Sequence, residues 1–386
     1  MVTGDASYIK KINRSIIISK IIEHGMISRA DLAKITGLNK ATISVQVSEM
    51  LKEELIFETQ LEHKNLGRRP IMLSINENAG YALGIDLDQE TISFNLSNLL
   101  GKEVSSKCIS INTSDYEEIE ALLLEHIMSF QDQCAHSSYG LVGVVIGIHG
   151  IVNKDEKIFF VPHHQWRNVD LKKGLEEKTG IPIYIENNAN LCSFAEKVFK
   201  HHQSDNLLSV TLYSGIGLGI IVNGETLKGH HGYAGEIGHM IIMPDGIRCK
   251  CGNAGCWEQY ASEASFMKQL CKTAQSEVLT YEEIANLIDK ADSQIMNDLD
   301  KYINYLAIGV NNIINLYNPE TLIINSELLQ LFPETEEKIK TKLHSSVGHF
   351  SRLLISDFGN KACIMGACAL AIQNFFCISD LCLTVE

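Results

Sequence analysis

The sequence predicts a small, mostly α-helical head of winged helix-turn-helix type, followed by an α/β body built in two similar halves. Three observations carry this prediction. Helical periodicity runs over residues 8–53 and is interrupted by a turn at Gly37. From Tyr81 onward, strands come first and alternating helices and strands follow, and this order occurs twice. At 386 residues the chain exceeds what one compact core holds, so two or three domains are expected. The boundaries fall at 1–80 for the head, 81–200 for the first lobe and 201–361 for the second, with a C-terminal helix, 362–386, returning to the first lobe.

In the head, Tyr8–His24 reads as a helix, with Ile9, Ile12, Ile16 and Ile17 at helical spacing. Ser28 is a good N-cap for the next helix, with Asp31 where a capping box places its acid. Gly37 ends that helix, and Asn39 caps the following one, Lys40–Glu53. Ile43, Val47 and Met50 face the core, which turns Ala41, Thr42, Ser44, Val45 and Ser48 outward. Short side chains on such a face, with Lys40 at its start, suit base edges in a major groove. No arginine is there to seek guanine, whereas Val45 and the Thr42 methyl suit thymine methyls, so an A·T-rich half-site is expected. Leu55–Glu58 and Ile71–Ile75 read as two strands, with Arg68 and Arg69 on the wing between them. Narrow A·T minor grooves attract arginine. The plainer alternative is a helical packing domain with a solvated basic loop.

In the body, Tyr81–Leu87, Ile92–Asn98 and Glu103–Ile111 read as strands. Helix 115–134, strand Leu141–Ile148, a short helix at Leu171–Thr179, strand Ile181–Glu186 and helix Asn190–Lys200 complete the first cycle. The second begins at Leu207–Tyr213 and Gly217–Asn223, with Asn223-Gly224 as a hairpin turn. Several helices, the longest ending near Tyr317, lead to Thr321–Asn325, Glu334–His344, Arg352–Asp357 and Ala362–Phe376.

Hydrophobic content of 45% and charged content of 21% are those of a globular protein. No apolar run reaches bilayer length, and Met1-Val2-Thr3-Gly4-Asp5 does not open a secretion signal. Eleven cysteines without such a signal point to reduced thiols and a cytoplasmic location, with no membrane partner. The net charge is −14, yet residues 1–70 carry eleven Lys/Arg and eight Asp/Glu, or +3, which leaves −17 for the rest. A basic head on an acidic body suits a DNA-reading module attached to something that avoids DNA.

Cys249, Cys251 and Cys256 form a C-x-C-x4-C arrangement with His239 shortly upstream. Thiolate and imidazole are the ligands zinc prefers, and four of them close a tetrahedral structural site. The alternative is a loop of free thiols. The other eight cysteines, Cys108, Cys134, Cys192, Cys271, Cys363, Cys368, Cys377 and Cys382, read as small core hydrophobes. Gly235-Glu236-Ile237-Gly238-His239 together with Cys249–Glu258 resembles the signature of the ROK family of sugar kinases and repressors, G-E-x-G-H followed by C-x-C-G-x-x-G-C-x-E. The resemblance implies structural zinc on His239, Cys249, Cys251 and Cys256, and a sugar site lined by Glu236, His239 and Glu258. It further implies that the body is the duplicated actin-like, ribonuclease H-like two-lobed fold, with its cleft between the lobes. Ser28–Ser44 and Gly67-Arg68-Arg69-Pro70 look like the head of ROK repressors, which the kinases lack.

Kinases of the family hold ATP phosphates on Asp-x-Gly-Gly-Thr, where backbone amides approach because side chains are absent. Here the stretch is Asp86-Leu87-Asp88-Gln89-Glu90, with two added carboxylates where phosphate would sit. The family's catalytic aspartate in Glu-Asn-Asp-Ala-Asn is matched by Asn188, and an amide cannot accept the hydroxyl proton. The glycine turn 214–219 survives. No ATP and no enzyme activity are expected. Asn187, Asn188, Glu236, His239, Glu258 and His149 are the expected sugar contacts. Trp166–Lys172 and Gly255–Ser262 resemble the xylose repressors of Gram-positive bacteria, which favours D-xylose. Pro162-His163-His164-Gln165 and Asn188 depart from their pattern and leave another pentose or a hexose open. The expectation is a homodimeric repressor, with pairing of dimers into a tetramer left open, that binds palindromic operator DNA and is released by a neutral sugar. An active kinase with an added head, and a DNA-binding protein whose body docks a protein partner, are the alternatives.

Overall fold

The computed structural model describes residues 6–60, 71–290, 292–332, 334–346 and 348–384. The predicted wing residues Arg68 and Arg69 lie outside the described residues. The chain divides into two compact units, one of residues 1–188, 197–202 and 364–386 and one of residues 189–196 and 203–363.

The first unit opens with α1 (Ala6–His24), β1 (Ile27–Ser28), α2 (Arg29–Thr36), α3 (Lys40–Lys52), β2 (Ile56–Gln60) and β3 (Ile71–Ile75). Local chemistry explains the breaks. The Ser28 hydroxyl accepts from the Asp31 N–H at 3.1 Å, and Asn39 Oδ1 accepts from the Thr42 N–H at 2.8 Å. Gly37 ends α2 at φ +71°, a conformation that a Cβ would strain. Ile43, Val47 and Met50 are buried, and β1, β3 and β2 form a three-stranded sheet beneath the helices. One detail differs from the periodicity argument. The buried face of α1 carries Ile17, Ile18 and Ile21, while Ile9, Ile12 and Ile16 are 50%, 40% and 36% exposed.

The unit continues with β4 (Tyr81–Leu87), β5 (Thr91–Asn98) and β6 (Glu103–Ser110), an antiparallel meander, and α4 (Tyr116–Cys134). β7 (Leu141–Ile148) then pairs parallel to β4. The short strands β8 (Ile151–Val152), β9 (Ile158–Val161) and β10 (Trp166–Val169) make a small antiparallel sheet that periodicity did not announce. α5 (Leu171–Thr179) leads to β11 (Ile183–Asn187), which is parallel to β7, and α6 (Asn188–Phe199) follows. The large sheet runs β11-β7-β4-β5-β6. Its central strands are apolar along their length because both faces are covered.

The second unit repeats that topology. β12 (Leu207–Thr211), β13 (Gly217–Val222) and β14 (Glu225–Thr226) form the meander. Then come α7 (Glu258–Ala261), α8 (Glu263–Thr273), α9 (Tyr281–Asp289), α10 (Ser293–Tyr317), β15 (Thr321–Asn325), α11 (Glu327–Gln330), α12 (Glu334–Lys342) and β16 (Arg352–Ile355). β15 lies parallel to both β12 and β16, giving the order β14-β13-β12-β15-β16. In both sheets the first strand of the meander is central and two later strands extend it in parallel. α13 (Ala362–Phe376) closes the chain, and it presses on β4 so closely that a Cβ at Gly84 would lie 2.5 Å from the Ile364 carbonyl oxygen.

Two of the cysteines read as core hydrophobes are not in the core. Cys108 and Cys377 are exposed, Cys271 and Cys382 half-buried, and Cys134, Cys192, Cys363 and Cys368 buried. Cys108 sits on edge strand β6 and Cys377 follows the end of α13. Burial there is set by what covers the element rather than by the residue type. Among the described residues, no helix is long and apolar enough to cross a membrane.

Candidate functional site

In the second unit a run of tight turns gathers the cysteines. Gly235, at φ +99°, places residues 235–239 flat on β13, where a Cβ would lie 2.1 Å from the Leu218 carbonyl oxygen. A single 3-10 turn, Ile237–His239, then presents His239. Bridges pair Ile241 with Cys256 and Arg248 with Ala254, and the Cys249 N–H donates to the Asn253 carbonyl at 2.8 Å. Gly255 must be glycine twice over. Its φ is +84°, and a Cβ would fall 1.7 Å from the Met243 carbonyl oxygen.

The result is one cluster of His239, Cys249, Cys251 and Cys256, with donor atoms all within 4.8 Å of one another. Cys249 Sγ lies 3.6 Å from His239 Nδ1, and Cys251 Sγ lies 3.6 Å from Cys256 Sγ. Tetrahedral ligands bound at about 2.3 Å (sulfur) and about 2.1 Å (nitrogen) stand roughly 3.5–3.8 Å apart, so the donor set and its spacing fit zinc. Two carboxylates flank the cluster. Glu258 Oε1 is 3.5 Å from His239 Nδ1 and accepts from Cys249 Sγ at 3.0 Å. Glu236 Oε2 is 3.9 Å from His239 Nε2. Gly215, on the surviving glycine turn, leaves room for Glu258, whose Oε2 would be 3.2 Å from a Cβ there. Trp257, between a cysteine and a carboxylate of this cluster, is fully buried and donates its indole N–H to the Tyr305 carbonyl at 2.8 Å.

In the first unit, His149 follows β7 and meets the end of β4. Its Nε2 is 2.9 Å from Asp86 Oδ1, and its Nδ1 is 3.6 Å from Asp88 Oδ1 and 3.3 Å from the Asn188 amide nitrogen. Burial alone would lower the His149 pKa, but the two aspartates outweigh it and raise it to about 9, so the ring is an imidazolium at neutral pH. With both ring nitrogens protonated, the favourable Asn188 orientation turns its carbonyl oxygen to the ring and its NH2 away. Asn187 Nδ2 donates to the Gly150 carbonyl at 2.9 Å and so holds the same loop. Sequence reasoning assigned Asp88, with Glu90, only the repulsion of phosphate and missed the pairing of Asp86 and Asp88 with His149. The Asp-x-Asp at a strand end is visible in the sequence, but its partner 63 residues away is not.

His164, singled out as a departure near the sugar, is 5% exposed and stacks on Trp166 with ring centroids 5.0 Å apart. Burial lowers its pKa, against the opposing pull of Asp88 and with a smaller contribution from His163. It packs in the first unit's small sheet. In the head, Lys40, Ala41, Ser44, Val45 and Ser48 are exposed and Thr42 is half-buried, so α3 presents the face expected of it.

Of the expected sugar contacts, the structure brings His149, Asn187 and Asn188 together in the first unit, and Glu236, His239 and Glu258 together in the second.

Comparison with known proteins bears on the whole chain. The xylose repressor of Bacillus subtilis is 37% identical over 379 residues, covering 96% of this chain and 98% of that protein. The crystal structure of a ROK family transcriptional regulator, a homologue of the Escherichia coli MLC protein, superposes with a TM-score of 0.83 at 28% identity over 95% of this chain and 97% of its own. A ROK family glucokinase from Streptomyces griseus, solved with glucose and AMPPNP, shares the fold at a TM-score of 0.68 and 24% identity, over 76% of this chain and 100% of its own. The ROK family model matches residues 82–374. With a family match across most of its length and a relative this similar from end to end, the chain belongs to the ROK family.

Proposed function

We propose that this protein is a sugar-responsive transcriptional repressor whose inducer is D-xylose. The observation that carries the reading is the end-to-end likeness, head and body together, to a protein named as a xylose repressor. The site chemistry supports it. At the end of β4, where a kinase keeps glycines for phosphate, Asp86 and Asp88 engage a histidine. Asn188 stands where a kinase needs a carboxylate base, and it presents hydrogen-bond donors but no proton acceptor of comparable basicity.

In this reading, residues 1–80 are a winged helix-turn-helix that reads operator DNA through Lys40, Thr42, Ser44, Val45 and Ser48 of α3, with Arg68 and Arg69 as further DNA contacts. Residues 81–200 and 201–361 are the lobes, and His149, Asn187, Asn188, Glu236, His239 and Glu258 hold the sugar hydroxyls. Zinc on His239, Cys249, Cys251 and Cys256 is structural. It fixes the His239 ring and the two carboxylates beside it. A homodimer presents two heads to a palindrome with recognition helices roughly 34 Å apart. Sugar lowers operator affinity only through unequal affinity for two arrangements of the protein, and a coupling of about 3 kcal/mol corresponds to release on the order of 100-fold.

An active kinase is the second reading, favoured by the retained glycine turn at residues 214–219 and by the glucokinase fold. A thermal melt separates the two. D-xylose at about 100 times its dissociation constant adds about 2.7 kcal/mol to the folded state and raises the midpoint by several degrees. Glucose, sugar phosphates and ATP are expected to shift it far less, and no ATP is consumed. Sugar-dependent ATP turnover would establish the kinase instead.

A further inference from the structure

The head touches the body at more than its covalent link. Glu53 and Glu54, just past α3, reach the turn between α4 and β7. The Tyr139 hydroxyl donates to Glu53 Oε2 at 2.9 Å, and the Ser138 hydroxyl donates to Glu54 Oε2 at 2.6 Å. Arg14 of α1 pairs with the same Glu53 oxygen, so α1, α3 and the turn share one carboxylate. That hydrogen bond from Arg14, against desolvation and with help from Tyr139, holds the Glu53 carboxyl below its ordinary range. The backbone is laced at the same point. The Asn76 side-chain amide donates to the Glu54 carbonyl at 2.8 Å, the Tyr139 N–H to the Ala79 carbonyl at 2.7 Å, and the Tyr81 N–H to the Gly140 carbonyl at 2.9 Å. On its other side the Tyr139 ring meets Phe375 of α13 edge-on, with centroids 5.2 Å apart.

The placement in the fold gives this joint its meaning. A single covalent crossing at residues 76–80 leaves the head free to rotate about the chain. Contacts away from that axis, at Ser138 and Tyr139, fix the angle. The same turn begins β7, which is paired on both sides by β4 and β11 and therefore stiff. The residue after the last of β7 is His149. One strand, about 26 Å long at about 3.3 Å per residue, thus has the head joint at one end and a candidate sugar contact at the other.

We propose that the Ser138–Tyr139 turn and the Glu53–Glu54 end of α3 form the joint through which sugar occupancy at the His149 end of β7 resets the DNA-binding head. The proposal rests on the repressor reading and adds the positioning residues that carry its signal. Partly exposed hydrogen bonds of this kind contribute little to global stability, so they can be removed without unfolding the protein. Their effect falls on head orientation.

The test uses the full-length protein with the double substitution Ser138→Ala/Tyr139→Phe, which keeps the ring against Phe375. D-xylose affinity is measured by calorimetry, and the affinity for a selected operator fragment is measured with and without D-xylose. The double variant is expected to bind D-xylose as wild type does, while its sugar-dependent loss of operator affinity falls from the order of 100-fold to less than about fivefold. Tyr139→Phe alone is expected to lie between the two. A double variant that releases operator as fully as wild type overturns the joint. A wild type that binds operator but ignores every sugar overturns the repressor reading itself, and the joint with it.

Discussion

Cys251→Ser is expected to empty the metal cluster and silence the sugar response while leaving DNA binding in place. Cys251 Sγ stands 3.6 Å from Cys256 Sγ in a group whose four donors lie within 4.8 Å. A serine hydroxyl is a poor zinc ligand, and structural zinc contributes its binding energy directly to folding. Zinc content should fall from one ion per chain to near none, and the melting midpoint of the second unit should fall by on the order of 10 °C. The described residues of the head make none of these contacts, so operator binding should persist and become insensitive to D-xylose. Metal analysis, a melt and an operator titration check the three parts. Wild-type D-xylose affinity in a verified zinc-free variant would show that the metal does not shape the sugar site.

Gly309→Ala is the second large effect, and here two terms of opposite sign compete. In mid-helix, alanine gains about 1 kcal/mol over glycine from intrinsic propensity. Against this, a Cβ at Gly309 would lie 2.0 Å from Trp257 Cε2, and the Trp257 side chain is fully buried with its indole N–H committed to Tyr305. Overpacking at a site this tight costs about 3 kcal/mol or more, so the contact prevails and the variant is destabilised. Trp257 is flanked in sequence by Cys256 and Glu258, so its displacement moves a cysteine of the cluster and a carboxylate together. Zinc retention and sugar affinity should both fall in Gly309→Ala while the first unit melts as before. A variant as stable as wild type would mean that Trp257 has room to move.

What was legible in the sequence is what short spacing encodes. Ser28, Gly37 and Asn39 act on groups within three residues of themselves, and the caps and turn they predict are where the structure has them. The cysteine cluster is legible for the same reason, since Cys249, Cys251 and Cys256 lie within eight residues and the glycines between them set the turn. Longer-range facts were hidden. The pairing of Asp86 and Asp88 with His149 depends on β4 and β7 lying side by side. The sheet β8–β10 is built from strands of two and four residues, too short for a period to register. On α1 the isoleucines mark a helix, but Ile17, Ile18 and Ile21 face the core because β3 and α2 lie on that side. The distribution of the six expected sugar contacts over two units was equally hidden, because it depends on where the chain crosses from one unit to the other.

Repression and its relief meet in one coupling, so the decisive measurement is the affinity of the full-length protein for a DNA fragment selected from a random pool, with and without saturating D-xylose. An A·T-rich inverted repeat is expected, bound tightly by the free protein and on the order of 100-fold more weakly by the sugar-bound one. Equal affinity in the presence and absence of D-xylose and of every other neutral sugar would contradict it.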